Sequence, residues 1–186
     1  MKTRVFSVAL LLGWLIGLPT WAQSKYLTRS GSITFFSATP IEDIQAVNQQ
    51  VGAAVDLQSG QVAFTVPMKA FKFPKSLMQE HFNENYVESE KYPKATFSGK
   101  LTNWTAASLA SSGSQAVQVE GDLTIHGVTK RMKVPGTLEK QGNRLVVKSK
   151  FAVAPADYNI EIPLLVRNQI AKSVDVTVSL ACDPTF

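Results

Sequence analysis

From about Lys25 onward the chain alternates apolar and polar residues with a period of two. Successive side chains of a β-strand point to opposite faces, so this pattern marks strands with one apolar side. Val62, Phe64, Val66 and Met68 share one parity in QVAFTVPMKA. Ala95, Phe97, Gly99 and Leu101 do so in KATFSGKL, and Val119, Gly121, Leu123 and Ile125 in the block after it. Val128, Met132 and Val134 follow, then Leu145, Val147, Phe151 and Val153. Val174, Val176, Val178 and Leu180 close the series, while GSITFFS and VGAAVDL supply two earlier candidates. The opposite parity carries Lys, Arg, Thr, Ser, Asp and Glu.

Turn signals separate these runs at Ser59-Gly60, Ser111 to Ser114, His126-Gly127 and Gln141-Gly142-Asn143. Short connections predict antiparallel neighbours. About eight such strands predict an all-β domain, either a closed barrel or a two-sheet sandwich. Closure removes the unpaired edges that an open sheet would expose.

One segment departs from this period. In FPKSLMQEHFNENYVESEKYP, Met78, Phe82 and Tyr86 recur every four residues, with Leu77 beside them. Ser76 with Gln79 matches a capping box, so a helix of about two to three turns is predicted, ending before Pro93. Ile41 to Asn48 reads as a second short helix. One or two short helices would thus cap an end of the sheet.

The first residues are of another kind. Lys2 and Arg4 precede the uncharged apolar run Val5 to Leu18, Pro19 breaks it, and Thr20-Trp21-Ala22 offers small residues two apart. That is the pattern of a secretory signal, residues 1–22, cleaved after Ala22. The expected product is an exported single domain over residues 23–186, periplasmic or secreted, with 164 residues for one core. Loss of Lys2 and Arg4 takes the net charge from +5 to +3, too mild to point to nucleic acid. Cys182 is the sole cysteine, so no internal disulfide is available, and it reads as a small residue near a strand end.

Candidate chemistry is thin. His126 shares the polar parity of Glu120, Asp122 and Thr124 and precedes Gly127, so a strand reversal accounts for it. His81 lies among Leu77, Met78 and Phe82 on the predicted helix. A zinc site needs three or four ligands, and no HExxH or cysteine cluster supplies them. Glu80 and Glu84 lie off the helix's apolar stripe, as solvated residues do. No GxSxG, P-loop or GxGxxG is present. No catalytic residue, metal or cofactor is therefore expected.

The blocks HFNENYVESEKYPKATFSG (His81 to Gly99), GDLTIHGVTKRMKVP (Gly121 to Pro135) and DYNI (Asp157 to Ile160) resemble the YceI family in order and spacing. The resemblance runs from about Lys25 to Ala181. It implies a lipocalin-like antiparallel β-barrel with an elongated apolar cavity, no known catalytic residues, and binding of long isoprenoid-tailed amphiphiles in the bacterial envelope. Asn159 stands where the family commonly has glycine after its Asp-aromatic pair, and the opening SGSITFFSATPIEDIQAVN departs from the family's histidine-containing strand.

With that resemblance, the inward parities become expected cavity lining. They comprise Val62, Phe64, Val66 and Met68; Phe97, Gly99 and Leu101; Gly121, Leu123 and Ile125; Val128 and Met132; Leu145, Val147, Phe151 and Val153; and Val176 and Val178. The small Gly99 and Gly121 read as open volume, so filling either with Phe is expected to displace a guest more than to unfold the barrel. Met78, His81, Phe82 and Tyr86, with Asp157 and Tyr158, are the expected mouth. The leading expectation is a non-catalytic carrier or store for an isoprenoid or other long-chain lipid, with room for transient membrane contact. A hydrolase or metal-assisted enzyme acting through His81, and a structural module with a solid core, are the alternatives.

Overall fold

The computed structural model describes residues 24–105 and 113–185. The expected signal at residues 1–22 and the first part of the Ser111 to Ser114 turn lie outside them.

Eight antiparallel strands close into one barrel in sequence order. They are β1 (Lys25–Ala38), β2 (Asp43–Asp56), β3 (Gln61–Pro67), β4 (Lys94–Thr102), β5 (Ser114–Ile125), β6 (Val128–Gln141), β7 (Arg144–Val153) and β8 (Val174–Pro184). The last pairs with the first, with Phe35 opposite Val176 and Tyr26 opposite Pro184. Of the two arrangements left open by the alternation, the structure is the barrel. The apolar parities converge on one core that includes Val62, Val66, Leu101, Leu145, Val147 and Val178.

The strand directions give the barrel two unlike ends. One collects the β2–β3, β4–β5 and β6–β7 connections together with Lys25 and Pro184. The other collects the β1–β2 and β5–β6 turns and two long connections, residues 68–93 and 154–173.

Two expectations are corrected here. Ile41 to Asn48 is not a helix: residues from Asp43 belong to β2, paired to β1 with Ala46 opposite Phe35. Its helix-like spacing yields to cross-strand pairing, and packing routinely overrides local preference in this way. Asn48 within it is fully buried, but its Nδ2 donates to the Pro67 carbonyl at 2.8 Å and its Oδ1 accepts from the Gln50 N–H at 2.8 Å. The predicted helix of two to three turns is present, as α1 at Ser76–His81 continued by a π-turn at Phe82–Tyr86. The capping box does not form. Lys75 is the N-cap, and Gln79 Oε1 instead accepts from the Phe73 N–H at 3.4 Å.

Candidate functional site

The barrel encloses two apolar chambers. The upper one, about 290 Å³, opens at the end that carries the long connections. Its wall combines strand residues Ile33, Phe35, Val66, Leu123, Ile125, Phe151, Val153 and Val176 with residues the connections bring in. Met68, Phe71, Phe73, Met78, Phe82 and Tyr86 come from residues 68–93, and Pro155, Ile160, Ile162, Val166 and Ile170 from residues 154–173. Phe35, Phe71, Phe73 and Phe82 interlock, with ring centroids 5.1 to 5.6 Å apart, and so fasten α1 across the barrel. Such ring pairs add stability beyond their area. Polar side chains in this lining are few: Ser37, Glu42, His81 and Gln169, with the Tyr86 hydroxyl.

The lower chamber, about 90 Å³, is lined by Val62, Phe64, Phe97, Leu101, Met132, Val147 and Val178, among others. Below it the interior is filled. Leu145, Leu180 and Cys182 are almost completely buried, and Trp104 Nε1 donates to the Leu57 carbonyl at 3.3 Å. Burial, with a smaller contribution from Asp183, pushes the Cys182 thiol up to about 11, far from a reactive thiolate.

Fourteen of the expected lining positions border a chamber, and Gly99, Gly121, Val128 and Leu145 do not. Gly99 and Gly121 are cross-strand partners, and the Phe97 ring lies over both. A Cβ on Gly121 would stand 2.5 Å from the Ser98 carbonyl oxygen, and one on Gly99 would stand 2.7 Å from that of Glu120. Their smallness is required by backbone and ring, and leaves no open volume. Leu145 plugs the filled end. Val128 is displaced from the wall because the β6–β7 ladder stops at Gly136–Ser149, below Pro135, which has no N–H to give. Pro155 and Ile160 stand in the wall instead, and the Pro155–Tyr158 turn packs on β6.

Of the expected mouth, Met78, His81, Phe82 and Tyr86 border the upper chamber and Asp157 and Tyr158 do not. Tyr158 is 4% exposed and belongs to a different junction. His126 Nε2 lies 2.7 Å from Glu88 Oε2, its Nδ1 lies 3.2 Å from the Tyr158 carbonyl oxygen, and its ring meets Tyr92 edge-on at 4.5 Å. Both nitrogens face acceptors, so only the imidazolium donates to both. His126 and Gly127 both have positive φ, the requirement of a two-residue hairpin turn. This histidine therefore closes the hairpin and joins it to both long connections. Asn159 has φ 55°, a left-handed position that asparagine tolerates, which accounts for its standing in glycine's place.

Residues 160–170 and the Phe71–Phe73 pair were absent from the expected lining. Ile162, Val166 and Ile170 recur every four residues, and Phe71 and Phe73 alternate, so each carried a periodic signal, though a short one. Among the described residues, no three His, Cys, Asp or Glu side chains group as metal ligands.

The YceI-like domain profile matches residues 23–182. No curated protein matches the chain significantly. A polyisoprenoid-binding domain from Saccharophagus degradans, implicated in plant cell wall breakdown, superposes with a TM-score of 0.74 at 16% identity, covering 88% of this chain and 99% of that one. Burkholderia cenocepacia BcnA superposes with a TM-score of 0.69 at 17% identity, covering 81% and 95%. The Campylobacter jejuni YCEI protein gives 0.57 at 10% identity over 100% of both chains.

Proposed function

The chain belongs to the YceI-like family, and from that premise we propose that it is a binder, not a catalyst, that holds the tail of an isoprenoid or other long-chain lipid inside its barrel. The observation that carries this reading is the upper chamber, dry along its wall and polar only at a few positions. Such a space rewards hydrocarbon and offers a head group few partners. One isoprene unit buries about five carbons, nominally about 4 kcal/mol at roughly 0.8 kcal/mol per CH₂. Association and chain ordering offset much of that, so fit and tail length govern affinity.

The name of the Saccharophagus degradans domain supports an isoprenoid tail. Charged residues followed by the apolar run Val5 to Leu18 support export, and hence storage or transport in the bacterial envelope. Leu164 and Leu165 are 76% and 96% exposed, in the same 3₁₀ turn whose Val166 lines the chamber. They suit a brief contact with a membrane during transfer.

Native mass spectrometry of the protein, gently purified from its own envelope, tests the reading. A discrete added mass that organic extraction releases as a lipid is expected. A bare chain that also takes up no prenyl or alkyl amphiphile on titration would refute it.

A further inference from the structure

The apolar interior is divided. The two chambers share Ile33 of β1, Val66 of β3, Ala95 of β4, Leu123 of β5 and Phe151 of β7. Residues that border both spaces form the neck between them. Four of these five are small or aliphatic and buried in the wall, whereas Phe151 is the bulkiest and half-buried. The ring clusters lie on either side of it. Phe35, Phe71, Phe73 and Phe82 interlock above, and Phe64 meets Phe97 at 5.9 Å below. Among the described residues Phe151 stacks with none of these rings, so none of them holds its orientation.

Volume sets what this partition does. A dry cavity of about 150 Å³ accommodates benzene. On that scale the upper chamber, about 290 Å³, holds roughly ten to twelve carbons, and the lower, about 90 Å³, roughly four more. A tail entering from the mouth fills the first space after about two isoprene units and then meets Phe151.

We propose that Phe151 is the specificity residue that sets the length of tail the barrel accepts. Tails that end above the neck bind without disturbing it. Longer ones must turn its ring aside to reach the lower chamber, and this cancels much of the gain from their extra carbons. The inference rests on the binding reading above.

Geraniol, farnesol and geranylgeraniol, titrated into the delipidated full chain, test it. The wild type should bind geraniol, whose roughly ten carbons end above the neck, and gain less than about threefold on farnesol or geranylgeraniol. Phe151→Ala should tighten farnesol by about tenfold relative to geraniol, because the neck is opened. Phe151→Trp should weaken farnesol and geranylgeraniol more than geraniol. If Phe151→Ala does not fold, Phe151→Leu must shift the profile in the same direction by a smaller amount. Failure of the wild type to bind any of the three would overturn the binding reading and the length gauge with it. Binding with an unbroken rise in the wild type, or with one length profile shared by all variants, would overturn the gauge and leave the binding reading intact.

Discussion

The two ends of this barrel are built from the same strands with the same alternation, yet one is solid and one is hollow. At the filled end, Leu145 of β7 lies opposite Cys182 of the adjacent β8, with Leu180 on that same strand, all almost completely buried, and Trp104 packs against the same core. At the hollow end, strand residues face a space that the two long connections roof without filling. The difference lies in what the connections add. At the hollow end the two long connections set α1 and residues 160–170 around the opening as a rim. Inward parity thus tells which side chains face the interior. It does not tell whether they touch.

The sharpest way to break the contrast lies in the wall between the ends. Gly121→Val should cost more than about 4 kcal/mol, because its Cβ meets backbone carbonyl and a ring that cannot all retreat. Urea unfolding measures it, and a folded variant of near wild-type stability would show that Phe97 moves freely. Leu145→Ala at the filled end should cost about 3 kcal/mol, with prenyl alcohol affinity little changed. Cys182, at the same end, should reveal itself at high pH. In the unfolded chain its thiol ionises near its ordinary value of about 9, and in the barrel only at about 11. Its contribution, at most about 2 to 3 kcal/mol, is complete below pH of about 9 and is lost as pH rises toward about 11. Cys182→Val should lack that alkaline decline, and parallel curves for the two proteins would rule the effect out. Met78→Ala at the rim should be the mildest for folding, costing about 1 kcal/mol, while weakening farnesol by about threefold. If Leu145→Ala and Met78→Ala weaken binding equally, the ends do not differ in function.

The barrel was legible because one rule, a period of two, holds over nearly every strand. Closure was less so, since alternation alone fits a sandwich equally well. The mouth was half legible. Met78, Phe82 and Tyr86 stand out by their helical spacing, whereas Ile162, Val166 and Ile170 sit in a long connection whose only regular piece besides the Pro155–Tyr158 turn is the short 3₁₀ turn Leu164–Gln169. The meaning of Gly99 and Gly121 was hidden, because it depends on where the Phe97 ring comes to rest across two strands. His126 read as a turn residue, which it is. Its reach to Glu88 and Tyr158 depends on tertiary contacts 38 and 32 residues away.

Closure by β1 against β8 has a kinetic side as well. The ladder that seals the wall pairs Tyr26 with Pro184 and Phe35 with Val176, partners drawn from opposite ends of the domain. Such distant partners meet late, because the chain must be ordered before they can reward it. Until then both strands are bare edges able to recruit another copy. A chain that emerges gradually during synthesis therefore stays unsealed until its last strand appears. Its yield should depend on being kept dilute or shielded until Val174–Pro184 arrives.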